Sequence, residues 1–308
     1  MASVPNTVYK HLHHLCTSED SRPNSLQRLA TRSSLSYKAR IVAAPCKWCS
    51  GGPQQRSHVH ICSSLPPGIG QDILYTGAGF AGAYAWVRIF DILGEMGLLE
   101  QNLSRKLIHV STGLLYVLIW PFFSPTPWSR LFAISIPVAN AIRLAVNGFG
   151  IFKDEGFVKS ISRGGTSGEL LRGPLYYALA LTCCTVCFWR DSPVGMTAIA
   201  IMCGGDGVAD IIGRHFGTVK LPYNSSKSWA GSMSMFGVGC VLSLSLVKYF
   251  STLGFYSVDW THAAWSITFI SLLATVVESL PISNFLDDNI SVPLVSIIMG
   301  MVLFSDLL

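Results

Sequence analysis

Residues 194–212 read VGMTAIAIMCGGDGVADII. A run of this length matches the roughly 20 residues a helix needs to cross the hydrocarbon of a bilayer. Its only ionisable side chains are Asp206 and Asp210, both near its end. Placed four apart, they project from one face of a helix about one turn from each other. Carboxylates in or beside a span are costly to hold there, and that cost points to function.

Working outward, runs of the same kind recur from Ile69 to the end of the chain. Eight are read: 69–93, 107–123, 131–146, 175–189, 194–212, 233–250, 263–280 and 290–304. Turn-forming residues separate them, such as Pro121, Pro125 and Pro127, then Arg190-Asp191-Ser192-Pro193. Alternating strands of about ten residues, the mark of a membrane barrel, are not seen, so helices are the element expected. The expected fold is an all-α polytopic bundle of seven to eight spans over residues 65–308.

Composition agrees. Half of the 308 residues are apolar, 13% are charged and mean hydropathy is +0.44, unusual values for a water-soluble globule. The net charge of +5 is concentrated at one end. Residues 1–64 carry eight bases against two acids, whereas the remainder carries fourteen against fifteen, so the basic balance is no sign of a nucleic-acid partner. That Ser- and Arg-rich stretch lacks a continuous apolar core and reads as a disordered transit peptide of plastid type. Cys46 and Cys49 have zinc-like spacing without a second pair, and the other cysteines lie in the leader or in apolar runs, so neither a disulfide framework nor structural zinc is expected.

Basic residues sort by loop. Arg105 and Lys106 follow the first run, Lys153, Lys159, Arg163 and Arg172 the third, and Arg214, Lys220 and Lys227 the fifth. The intervening loops hold little beyond Arg130, Arg190 and Lys248. The positive-inside rule puts the basic loops on one side, the stroma in a plastid membrane. His109, Asn140, Arg143, Asp206, Asp210 and Glu278 all fall toward that side, so every unusual polar residue is expected to converge there.

Several groups carry chemistry. Two carboxylates such as Asp206 and Asp210 can share Mg2+, a hard cation that prefers oxygen and bridges carboxylates to phosphates. Gly204, Gly205 and Gly207 allow a nucleotide to approach closely or serve helix packing. Arg214, Lys220 and Lys227 suit a triphosphate as well as ordinary topology. Glu278 with Asp287, Asp288 and Asn289 forms a second metal or proton-transfer candidate. Glu169 and Arg172, in the glycine-rich stretch 164–174, fit a lid or a solvated connection. Arg105, Lys106 and His109 suit phosphate contact or helix anchoring. Gly77-Ala78-Gly79-Phe80-Ala81-Gly82 matches GxGxxG literally but lies in an apolar run with no strand before it, so it reads as packing; the chain has no Gly-Lys pair and hence no P-loop.

Five ordered stretches resemble the polyprenol kinase family, which includes phytol, farnesol and dolichol kinases. They are Arg105 to His109; Glu169 to Tyr177; Gly204 to Gly207 with Ala209-Asp210 and Gly213-Arg214; Lys227 to Ser232; and Glu278-Ser279 with Asp287 to Asn289. The plastid phytol kinase branch is most similar. The resemblance implies phosphoryl transfer from CTP to a long-chain isoprenoid alcohol held in the bilayer, giving phytyl phosphate in phytol salvage and tocopherol synthesis. On that basis Asp206, Asp210 and Asp288 are expected at metal and Asp206, Asp210, Glu278 and Asp287 in catalysis. Nucleotide contacts are expected from Gly204, Gly205, Gly207, Arg105, Lys106, His109, Arg214, Lys220 and Lys227, and substrate-side contacts from Asn140, Glu169 and Arg172. Farnesol or geranylgeraniol as acceptor, a CTP:lipid-phosphate cytidylyltransferase and an ion-coupled transporter are the alternatives.

Overall fold

The computed structural model describes residues 67–152, 154–162, 164–281 and 286–305. The leader read over 1–64, with Cys46 and Cys49, lies outside the described residues, as do Lys153 and Arg163.

Each of the eight apolar runs is helical. In chain order the helices are α1 (Ile69–Glu95), α2 (Gln101–Leu118), α3 (Ser129–Gly148), a short α4 (Glu155–Ile161), α5 (Gly173–Phe188), α6 (Pro193–Ile199), α7 (Gly207–Phe216), α8 (Trp229–Thr252), α9 (Trp260–Ser279) and α10 (Asp288–Leu303). A π-helical segment, Ala200–Asp206, joins α6 to α7. Among the described residues, five helical stretches are long and apolar enough to cross a membrane: Ser129–Gly148, Ser167–Phe188, Pro193–Phe216, Trp229–Thr252 and Trp260–Ser279. α10 is apolar but shorter, with 16 residues. α1 and α2 carry more charge, from Asp72, Arg88, Asp91 and Glu95 to Arg105 and Lys106.

Starts and stops follow the sequence. Pro193 and Pro174 open helices, where a missing N–H costs nothing. Ser192, Ser228, Asp259 and Asp287 cap the first turns of α6, α8, α9 and α10 through side-chain oxygens.

The stretch that decides the fold is also its axis. Every residue from Pro193 to Gly207 is buried, as expected of a helix apolar all round. α2, α5, α8, α9 and α10 pack around it, and Met196, Ile199, Ile201 and Met202 are fully enclosed. Large apolar side chains such as Leu131, Ile142, Leu179, Val241 and Phe269 face outward, a surface suited to lipid rather than water.

Two features depart from the expectation. The loop after α7 folds as an antiparallel hairpin, β1 (Lys220–Leu221) and β2 (Asn224–Ser228), turning at Pro222-Tyr223, where proline presets the turn dihedral. Polar groups also do not all converge on one end. Arg190 is buried and donates to the carbonyls of Trp120, Phe123 and Ser124 at 3.3, 2.8 and 2.7 Å. Buried Asp72 accepts from Ser124 N and Oγ, both at 2.7 Å. This knot joins the start of α1, the segment after α2 and the α5–α6 connection. These are the helix ends opposite the acidic cluster: Arg190 lies there as its loop implied, whereas buried Asp72 is a polar residue that the expected convergence left out.

Candidate active site

At the other end, the last turn of α9 and the first of α10 meet the end of the π segment. One oxygen each from Asp206, Glu278 and Asp288 lies within 4.8 Å of the others. Glu278 is 3% exposed and Asp206 7%. The hairpin delivers Lys227 into this group: its ammonium donates to Glu278 Oε1 and, at 2.9 Å, to Asp288 Oδ2. The hairpin is in turn latched to α9, since Asn224 Nδ2 donates to Ser279 O at 3.0 Å and Tyr223 Oη lies 2.9 Å from Ser279 Oγ. Burial pulls the Lys227 pKa down, but Glu278, Asp288 and then Asp206 outweigh it and hold it above the ordinary lysine value.

Asp210 lies on the same side as Asp206, as its spacing suggested, and shares Lys106 with it. It accepts from Arg214 Nε at 3.0 Å and lies 3.6 Å from Lys106 Nζ, which is 3.8 Å from Asp206. The carboxylate that completes the compact group with Asp206 and Asp288 is therefore Glu278, while Asp210 holds two cations beside it. Asp287 lines the same cavity but caps α10, accepting from Asn289 N at 2.9 Å and Nδ2 at 2.8 Å.

The expected nucleotide-cradling glycines are corrected by the packing. A Cβ on Gly204 would lie 2.1 Å from Leu242 Cδ1, and one on Gly207 would lie 2.3 Å from Val110 Cγ2. Gly205 faces Met235 and Gly239. All three glycines let α8 and α2 close on the axial helix.

A continuous cavity of about 1850 Å³ opens from the cluster. Arg105, Lys106, His109, Arg214, Lys220 and Lys227 line it, as do Asn140, Glu169 and Arg172. The Glu169 carboxylate turns back on its own loop, accepting from Gly164 N at 3.0 and 3.1 Å and from Thr166 Oγ1 at 3.0 Å. His109 stacks on Tyr177 with ring centroids 4.2 Å apart, and Tyr177 Oη donates to the His109 carbonyl at 2.9 Å. Tyr177 and Ser232 were missed as site neighbours, although both sit inside the stretches that carry the family resemblance. Their apolar surroundings gave no separate signal.

The donor set suits a hard divalent cation. Three carboxylates converge, two of them share one ammonium, and buried Glu278 Oε2 has no hydrogen-bond partner among the described residues. An orphaned carboxylate oxygen in such a place needs a ligand, and Mg2+ favours oxygen donors.

Comparison with known proteins gives the family. Phytol kinase 1, chloroplastic, of Arabidopsis thaliana is 50% identical over 227 residues, covering 74% of this chain and 75% of that protein. "Probable phytol kinase 1, chloroplastic" of Glycine max is 48% identical over 253 residues, covering 80% and 84%. "Probable phytol kinase, chloroplastic" of Triticum aestivum is 42% identical over 292 residues, covering 93% and 96%. No protein-family model and no solved structure matches the chain. Identity of this order across 74% or more of each chain, joined to the site just described, places this chain in the phytol kinase family.

Proposed function

We propose that this protein is a chloroplast membrane kinase that transfers a phosphoryl group from CTP to the hydroxyl of an isoprenoid alcohol, phytol, with Mg2+ as cofactor and the site facing the stroma. The observation that carries the reading is the group of buried Asp206 and Glu278 with half-buried Asp288 at the mouth of a cavity that is basic at one end and apolar beyond. Phosphoryl transfer asks little covalent chemistry of a protein; it asks for positioning and for charge placed where negative charge spreads.

Asp206, Glu278 and Asp288 would hold the metal, which when bound neutralises phosphate charge. Lys106 and Arg214, aligned by Asp210, bind the triphosphate together with Arg105 and Lys220. Lys227 bridges Glu278 and Asp288 and fixes them in place. Asp287, which caps α10 through Oδ1 and lines the same cavity, offers Oδ2 to the proton of the attacking hydroxyl. Burial of the cluster strengthens each of these interactions over its value in water.

The test is purified protein in lipid, offered a panel of prenols and each nucleoside triphosphate, beside Asp206→Asn. The expected result is phytyl phosphate formed from phytol and CTP, lost on chelation and restored by Mg2+. The variant should stay folded yet run roughly 10²- to 10³-fold slower, the size of effect seen when one preorganised electrostatic group is removed. Undiminished phosphorylation by Asp206→Asn would remove its role, and a CDP-lipid with pyrophosphate release would replace kinase by cytidylyltransferase.

A further inference from the structure

The cavity is larger than one small ligand requires. Small-molecule pockets run to roughly 300–1,000 Å³, against about 1850 Å³ here. Away from the cluster its walls include Tyr75, Ala78, Phe80, Leu115, Ile119 and Ile136. From the cluster it extends along α2, which lines it from Lys106 to Ile119, thirteen residues or about 20 Å at 1.5 Å per residue. That depth is most of the ~30 Å hydrocarbon core.

The far wall is α1, whose only buried residue is Asp72. It is fastened near both ends: Gln71 Nε2 donates to Phe122 O at 2.7 Å, Asp72 binds Ser124, and Trp86 Nε1 donates to Ser111 Oγ at 2.7 Å. Between these ties lies Gly77-Ala78-Gly79-Phe80-Ala81-Gly82-Ala83, the stretch that matched a dinucleotide motif only literally. Ala78, Gly79, Gly82 and Ala83 line the cavity. A Cβ on Gly82 would meet nothing within 4 Å, whereas one on Gly79 would lie 2.6 Å from Ile136 Cδ1 and 3.4 Å from Ile119 Cδ1. The channel is thus open at Gly82 and narrows at Gly79. Its polar end holds buried Glu278 Oε2, which has no partner among the described residues, so a ligand in the channel has its head at the cluster and its tail among small residues.

We infer that the channel between α1, α2 and α3 holds the isoprenoid tail of the acceptor alcohol, and that Gly82 and Gly79 set the chain length accepted. This rests on the prenol kinase reading. A tail seated there leaves its hydroxyl beside Asp206, Glu278 and Asp288, and small residues leave room for the methyl branches of an isoprenoid.

The experiment compares Gly82→Phe with wild type on geraniol, farnesol and geranylgeraniol. Gly77→Phe is the control, because Gly77 also has open space around it but does not line the cavity. In Gly82→Phe, KM should rise about tenfold or more for geranylgeraniol and change by less than about threefold for geraniol, as expected when hydrophobic volume is removed from a pocket. Gly77→Phe should leave the chain-length profile as it was. Equal losses for all three alcohols, an unaltered profile in Gly82→Phe, or the same shift in Gly77→Phe would overturn the assignment.

A second measurement needs no substitution. A geranylgeraniol analogue carrying a diazirine at its tail end should label residues 75–83, Ile119 or Ile136 of the wild-type chain, and unlabelled geranylgeraniol should compete. Labelling elsewhere, or labelling of the channel only by a diazirine phospholipid that prenols do not displace, makes it a bilayer-lipid site and overturns the proposal. Failure of wild type to phosphorylate any prenol would instead sink the kinase reading itself.

Discussion

Lys227 shows what one residue contributes. Its ammonium, bonded to Glu278 and Asp288, is held above the ordinary lysine pKa. A raised value for a base means that its stabilisation is complete below about pH 10.4, the unfolded-state value, and is lost only as pH rises through the folded one. At mildly alkaline pH, acetic anhydride should therefore modify exposed Lys220 well before Lys227, as read by peptide mass spectrometry; equal rates would contradict the buried triad. The residue types of this site were legible in the sequence, because carboxylates beside apolar runs stand out. Their grouping was not. Spacing of four puts Asp206 and Asp210 on one face, where they share Lys106, yet the acids that group tightly with Asp206 come from α9 and α10. Only packing decides such distant meetings, and in the same way Lys227 finds Glu278 51 positions along the chain.

Among elements, the π-helical segment has the largest consequence. π turns are rare and concentrate at functional sites, and this one ends on Asp206, so its extra residue per turn sets the direction in which that carboxylate points. Gly204 lets Leu242 of α8 close on the segment. Gly204→Ala should cost about 1–3 kcal/mol, the usual penalty of overpacking, and Leu242→Ala in the same chain should recover part of it. Thermal unfolding in detergent checks this; strictly additive losses would show that the two do not meet. Helix positions were legible because an apolar run of span length leaves few alternatives. The hairpin was not, since Lys220 to Ser228 is polar and lacks alternation, and its shape depends on the latch to Ser279.

For the molecule as a whole, the Arg190 knot and the acidic cluster sit at opposite helix ends and do different work. Arg190→Ala would leave the carbonyls of Trp120, Phe123 and Ser124 without this donor. Each unsatisfied group costs about 1–3 kcal/mol, so the melting temperature should fall, while the initial rate per folded molecule stays near wild type. A lower rate with unchanged melting would show the knot to be coupled to catalysis. The placement of Asp206, Glu278 and Asp288 at a single end has one more result: sidedness. On the proposed kinase reading, spent nucleotide and the phosphorylated lipid would both emerge toward the same leaflet, so turnover would demand no flip-flop of an anionic headgroup, and any enzyme that uses the product would draw it from that leaflet.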